Sequence, residues 1–103
     1  MIYMRMDEAY KAIKVGITSD KKGRDRHYDT MNPFIKTLEE MDVGDKKADR
    51  IIEAACHKEM EARGFQQVVG EHGVRTEWYI LNPNQFKKFK EKGFKALNTT
   101  KYF

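Results

Sequence analysis

Five side chains combine residue types and positions that could do chemistry together. Tyr3 and Lys14 sit on two short alternating segments near the start of the chain, Arg24 in the polar stretch that follows, and Glu53 four residues before His57. A phenol, two cations, a carboxylate and an imidazole can transfer a proton, compensate negative charge and hold a hard cation. Taken singly, each has an ordinary alternative. Tyr3 and Lys14 are common strand residues, Arg24 and Arg26 can form a solvated face, and Glu53 with His57 can be a surface pair worth a few tenths of a kcal/mol. Frames for other chemistries are missing. No P-loop, dinucleotide fingerprint or Ser-His-Asp arrangement occurs, and the three histidines and one cysteine follow no zinc-binding spacing.

Periodicity identifies the elements that must position these residues. Ile2, Met4 and Met6 alternate with Tyr3 and Arg5, and Ile13, Val15 and Ile17 alternate with Lys14, Gly16 and Thr18. Alternation of this kind predicts two strands with one buried face each, joined through residues 7–11 as an antiparallel hairpin. If the apolar sets share the core face, Tyr3, Lys14 and Gly16 share the other, and a one-residue slip would send them into the core. Ser19 or Asp20 then caps a short polar helix to Thr30, on which Arg24, His27 and Tyr28 can share a face, and Asn32-Pro33 ends it. Residues 34–43 predict a third strand. Asp45 caps the strongest helix and Gly64 closes it. Its apolar stripe is Ala48, Ile52, Ala55 and Cys56, with Ile51 beside it and Glu53, His57 and Glu61 on an adjacent polar edge.

Two further strands are predicted over 65–69 and 76–80, with Trp78 as a core residue. Asn82-Pro83 opens a last helix to Lys92 with Phe86 and Phe89 facing in. Gly93 closes it, and 94–103 reads as a basic tail. The expected fold class is α/β (α+β), a small central antiparallel sheet flanked by helices, in one domain over 1–103.

Bulk properties narrow the function classes. The 103 residues suit one domain with a modest core. Hydrophobic residues make up 40% and charged residues 35%, which excludes a disordered chain. No apolar run could span a bilayer, and no signal peptide is visible at the N-terminus. A single cysteine, Cys56, fits a reducing compartment, so a cytoplasmic location is expected. The net charge of +4 permits a polyanionic partner. Basic residues cluster at Lys21, Lys22, Arg24 and Arg26 and again from Lys87 to Lys101, where phosphate contacts could form. A lysine-rich amphipathic helix is also simply a soluble one.

Ile2-Tyr3-Met4, then Lys14-Val15-Gly16-Ile17-Thr18, then Asp20 and Arg24, resemble the opening of the GIY-YIG nucleases. In that superfamily a Gly-Ile-Tyr strand pairs with a Tyr-Ile-Gly strand, and a helix with an essential arginine follows. Glu53 with His57 one turn later, and Thr76-Glu77-Trp78-Tyr79, extend the likeness over residues 1–81. With Asn32-Pro33, the pattern is most similar to a branch common in phages and small stand-alone bacterial proteins. Met1 stands where the first motif glycine would be. Lys14 replaces the second motif tyrosine, a substitution familiar in that branch.

The resemblance implies a metal-dependent endonuclease that hydrolyses DNA, with RNA as the alternative substrate, acting in the cytoplasm of a host if phage-encoded. It implies Tyr3 as the general base or its helper. A free tyrosine ionises at about pH 10, and the cation of Lys14 across the hairpin would favour the phenolate. Arg24 would grip non-bridging phosphate oxygens, and Glu53 would bind one magnesium ion, with manganese as a substitute. His57 would orient the carboxylate, contact the phosphate or protonate the leaving group. Substrate contacts are expected at Gly16, Thr18, Lys21, Lys22, Arg26 and Tyr28. No membrane partner is implied, and a monomer and a homodimer fit equally. The rival reading is a catalytically inactive module on the same fold that binds nucleic acid or protein, motivated by the two motif departures.

Overall fold

The computed structural model describes residues 1–17, 35–42, 45–73 and 75–97. Strands β1 (Ile2–Asp7) and β2 (Ala12–Ile17) form the expected antiparallel hairpin. Asp7 shapes its turn. One carboxylate oxygen accepts from the backbone N–H of Ala9 at 2.9 Å and of Tyr10 at 3.3 Å, the side-chain mimic of a backbone turn. Ile2 pairs with Ile17, Met4 with Val15 and Met6 with Ile13, and between them Tyr3 pairs with Gly16 and Arg5 with Lys14. Directly paired residues point the same way, so the apolar set faces one side and Tyr3, Arg5, Lys14 and Gly16 the other.

β3 (Ile35–Met41) joins the outer side of β1, β5 (Arg75–Ile80) joins β2, and β4 (Gln66–Val69) joins β5. The sheet order is β3-β1-β2-β5-β4 and every pairing is antiparallel. With the two α-helices found among the described residues, this is the small α+β architecture expected. The hairpin itself departs from expectation. It has no solvated face, although flanking strands on either side cover only its edges. Every residue of β1 is buried, Arg5 is only 2% exposed and Lys14 only 8%. Arg5 is accommodated by donating to the Thr37 hydroxyl on β3 at 2.7 Å.

Helix α1 (Lys46–Ala62) starts where Asp45 accepts from the Ala48 N–H at 2.7 Å, and Gly64, at φ +76°, follows its end. Its buried stripe is Asp49, Ile52, Cys56 and Met60, while Ala48 and Ala55 are half-buried and Ile51 is 53% exposed. The expected stripe is therefore rotated. Asp49 turns inward because its carboxylate pairs with the N-terminal ammonium of Met1 at 2.5 Å. Helix α2 (Pro83–Lys92) is capped by Asn82, whose side chain accepts from the Gln85 N–H at 2.8 Å, and it buries Phe86 and Phe89 as expected.

The tail expected after Gly93 begins instead as part of the core. Gly93–Ala96 makes a 3₁₀ turn, and Phe94, Ala96 and Leu97 are buried. A Glu39 carboxylate oxygen on β3 accepts from the Phe94 N–H at 3.3 Å. Burial of Phe94 and Leu97, each worth about 1.5–3 kcal/mol, outweighs the basic character of their neighbours. They join Ile2, Met4, Val15, Ile52, Met60 and Phe89 in one cluster. The helix expected over residues 19–30 and its Asn32-Pro33 end lie outside the described residues. Among the described residues, no helix is long and apolar enough to cross a membrane.

Candidate functional site

Helix α1 lays Glu53 and His57 over the seam between β2 and β5. The two are one turn apart and half-buried, because the same face carries Ile52, Cys56 and Met60 into the core. Strand β5 presents Glu77 to the same place. Ligand-capable atoms of Glu53, His57 and Glu77 all lie within 4.8 Å of one another. The Lys14 ammonium stands 3.5 Å from a Glu77 carboxylate oxygen. Lys14 and Trp78 are the last pair of the β2–β5 ladder, and the cluster forms at that point.

His57 is held from both ends. Its Nε2 lies 3.1 Å from the Val15 carbonyl oxygen and its Nδ1 3.2 Å from the Tyr79 hydroxyl. A carbonyl only accepts, so Nε2 carries the proton. In the neutral ring Nδ1 then accepts from Tyr79. A backbone carbonyl behind one nitrogen is also the way metal-binding histidines are commonly oriented, and here it leaves Nδ1 as the nitrogen with a lone pair.

The electrostatics of the cluster suit a cation. Burial is the main reason the Glu53 carboxyl is pushed above its ordinary 4.5, and the neighbouring Glu77 carboxylate pushes it the same way. His57, Lys14 and Arg50 only partly offset this. Two carboxylates forced together, with an imidazole beside them, form a donor set that fits a hard or borderline divalent ion such as magnesium or manganese.

Tyr3 occupies the other face of the hairpin. Its ring lies over Gly16, and a β-carbon placed on Gly16 would stand 2.5 Å from the Tyr3 hydroxyl oxygen. Gly16 follows Val15, the residue that holds His57, so Tyr3 and His57 bracket one stretch of β2 from its two sides. Lys14, a diagonal neighbour of Tyr3 in the strand register, reaches Glu77. Of the expected site residues, the structure brings together Lys14, Glu53 and His57, and sets Tyr3 against Gly16. Thr18, Lys21, Lys22, Arg24, Arg26 and Tyr28 lie outside the described residues.

Sequence reading left out two participants, Glu77 as a third donor and Tyr79 as the partner of His57. The signal was present in part. Period two puts residues 77 and 79 on one face of β5, but nothing local says that β5 lies beside β2. Trp78, expected in the core, is half-buried on the opposite face.

Comparison with known proteins gives one family. Residues 1–93 match the model described as the T5orf172 domain. No curated protein and no solved structure matches the chain.

Proposed function

The chain belongs to the T5orf172 domain family, and from that we propose that it is a metal-dependent endonuclease cutting the phosphodiester backbone of DNA. The family is phage-associated and linked to nuclease-type folds. The observation that carries the reading is the Glu53–His57–Glu77 cluster with Lys14 at its edge.

In this proposal Glu53 and Glu77 would hold a divalent cation, with His57 Nδ1 as a third donor. The bound ion supplies charge stabilisation to the phosphate and the leaving oxygen. The protein's own groups do the rest. Tyr3, as the phenolate that the Lys14 cation favours, receives a proton from the attacking water as the water oxygen bonds to phosphorus, and the P–O bond to the leaving oxygen breaks, that oxygen taking its proton from solvent. Lys14 compensates charge between the phenol and Glu77. Arg24 grips the non-bridging oxygens, which its planar fork matches. The Val15 carbonyl keeps the His57 ring in place through Nε2.

The test is supercoiled plasmid incubated with magnesium or with EDTA, beside Glu53→Ala and Arg24→Ala. Nicking that needs the metal and disappears in both variants is expected. Cutting in EDTA, or full cutting by Glu53→Ala, overturns the proposal. The near-complete burial of Tyr3, 4% exposed, favours a second reading, a module that binds nucleic acid without cutting it. That reading predicts retained binding and no nicking under any metal.

A further inference from the structure

A second charged surface lies at the far end of α1. A cleft of about 740 Å³ opens between the end of α1, the start of β4, the end of β5 and α2, and its lining includes Arg63, Lys88, Lys92 and Lys95. Gln66 and Gln85 add amide groups, and among the described residues no acidic one lines it. The contrast with the rest of α2 is informative. Lys90 turns away and lies 3.5 Å from Glu8. Lys88, Lys92 and Lys95 make no ion pair among the described residues. Arg63 donates through Nε to Glu59 at 3.1 Å, which fixes its guanidinium at the cleft wall.

Lys88 and Lys92 share one face of α2 a turn apart, a spacing at which like charges are destabilising. Three lysines without an ion pair among the described residues, converging beside Arg63 on one concave surface, call for a ligand that carries repeated negative charge. The placement fits that ligand to the site already described. From Glu53 to Arg63 the helix advances about 15 Å, and from Glu77 to Ile80 the strand advances about 10 Å in the same direction. Roughly four or five nucleotides of a strand cover that distance, at about 3.4 Å of axial rise each.

We infer that this cleft is a second contact for the phosphate backbone, holding the flank of a nucleic-acid strand whose reacting phosphate sits at the Glu53–His57–Glu77 cluster. The inference rests on the proposed nucleic-acid substrate. Lysines meeting phosphates position a strand without reading its bases, so the cleft adds affinity and not sequence preference.

The test separates this from cutting. Binding of a fluorescein-labelled DNA duplex is followed by anisotropy in EDTA between about 50 and 200 mM salt. The proteins are the intact chain, a Lys88→Ala/Lys92→Ala/Lys95→Ala variant, and a Lys46→Ala/Lys47→Ala/Lys87→Ala control with the same charge change elsewhere. Circular dichroism melts verify that all three are folded. The cleft variant is expected to bind about tenfold more weakly or worse, with the slope of log affinity against log salt reduced by about three, one per lost phosphate contact. The control keeps both. An unchanged slope in the cleft variant, or an equal loss in the control, overturns the inference.

Plasmid nicking by the same proteins keeps the two ideas apart. Metal-dependent nicking with no binding defect in the cleft variant leaves the nuclease standing and removes the cleft. Loss of binding in the cleft variant, with no nicking by any protein, removes the nuclease and keeps the cleft as a nucleic-acid contact. Absence of DNA binding by the intact chain removes both.

Discussion

The Tyr3 ring rests on the bare α-carbon of Gly16. A β-carbon there would meet the Tyr3 hydroxyl oxygen at 2.5 Å and its Cζ at 2.7 Å. Glycine is needed for this close approach. The contact fixes where the phenol sits.

Gly16→Ala is therefore expected to push the ring out of place. Overpacking of this kind costs about 1–3 kcal/mol in urea unfolding. Tyr3→Phe keeps the packing and loses only the hydroxyl, so it should unfold close to the parent. Both variants should lose plasmid nicking. Full nicking by Gly16→Ala would show that the phenol's position does not matter to the reaction.

Glu53 gives the stability a pH dependence of definite sign. Burial and the Glu77 carboxylate hold its folded-state pKa above the ordinary 4.5. Folding thus favours the protonated form. The contribution is fully present below the unfolded value and is lost as pH rises through the folded one. In EDTA at neutral pH, Glu53→Gln should melt at a higher temperature than the parent, and the gap should close below pH 4.5. Manganese should reverse the order, since ligand at a hundred times its Kd stabilises by about 2.7 kcal/mol, and only the parent can bind it fully. A gap that persists in acid would mean that Glu53 is not under this strain.

Tyr79 competes with a metal for the lone pair on His57 Nδ1, because its hydroxyl lies 3.2 Å from that nitrogen. Tyr79→Phe removes the competitor at a cost to stability of about 1 kcal/mol. Manganese affinity, read by electron paramagnetic resonance, should then tighten by about fivefold, the equivalent of that hydrogen bond. Weaker binding would show that the hydroxyl supports the ion and does not oppose it.

Phe94 tests the C-terminal segment. It is 1% exposed and belongs to the main core. Phe94→Ala should cost about 3–5 kcal/mol in denaturant unfolding, as for other large core aromatics. A loss below about 1 kcal/mol would return this segment to the status of a loose tail.

The legible parts of the molecule are the local ones. Alternation located β1 and β2 and their shared register, since a two-residue period leaves little freedom in a hairpin. Asp45 and Asn82 announced their helices because a cap acts within three residues. Lys14, Glu53 and His57 were recognisable as a group by resemblance. Glu77 was not placed with them, because its arrival depends on β5 pairing with β2, and no local pattern encodes that choice. The inward turn of Asp49 likewise depends on an ammonium 48 positions away in the chain. The fold of residues 93–97 was obscured by lysines interleaved with Phe94 and Leu97.

The sheet order has a kinetic consequence. β3 and β4 are its two edges, and α1 runs between them in the chain, so the polypeptide goes out to one edge and returns from the other before Ala12 can meet Ile80. Pairings between such distant segments form late compared with hairpins and helices. Lys14 and Glu77 become neighbours only through that closure. A molecule still being synthesised, or one opened along this seam, has its hairpin and its helix but lacks the assembled cluster. Whatever reaction the cluster supports is withheld until the last strands zip together.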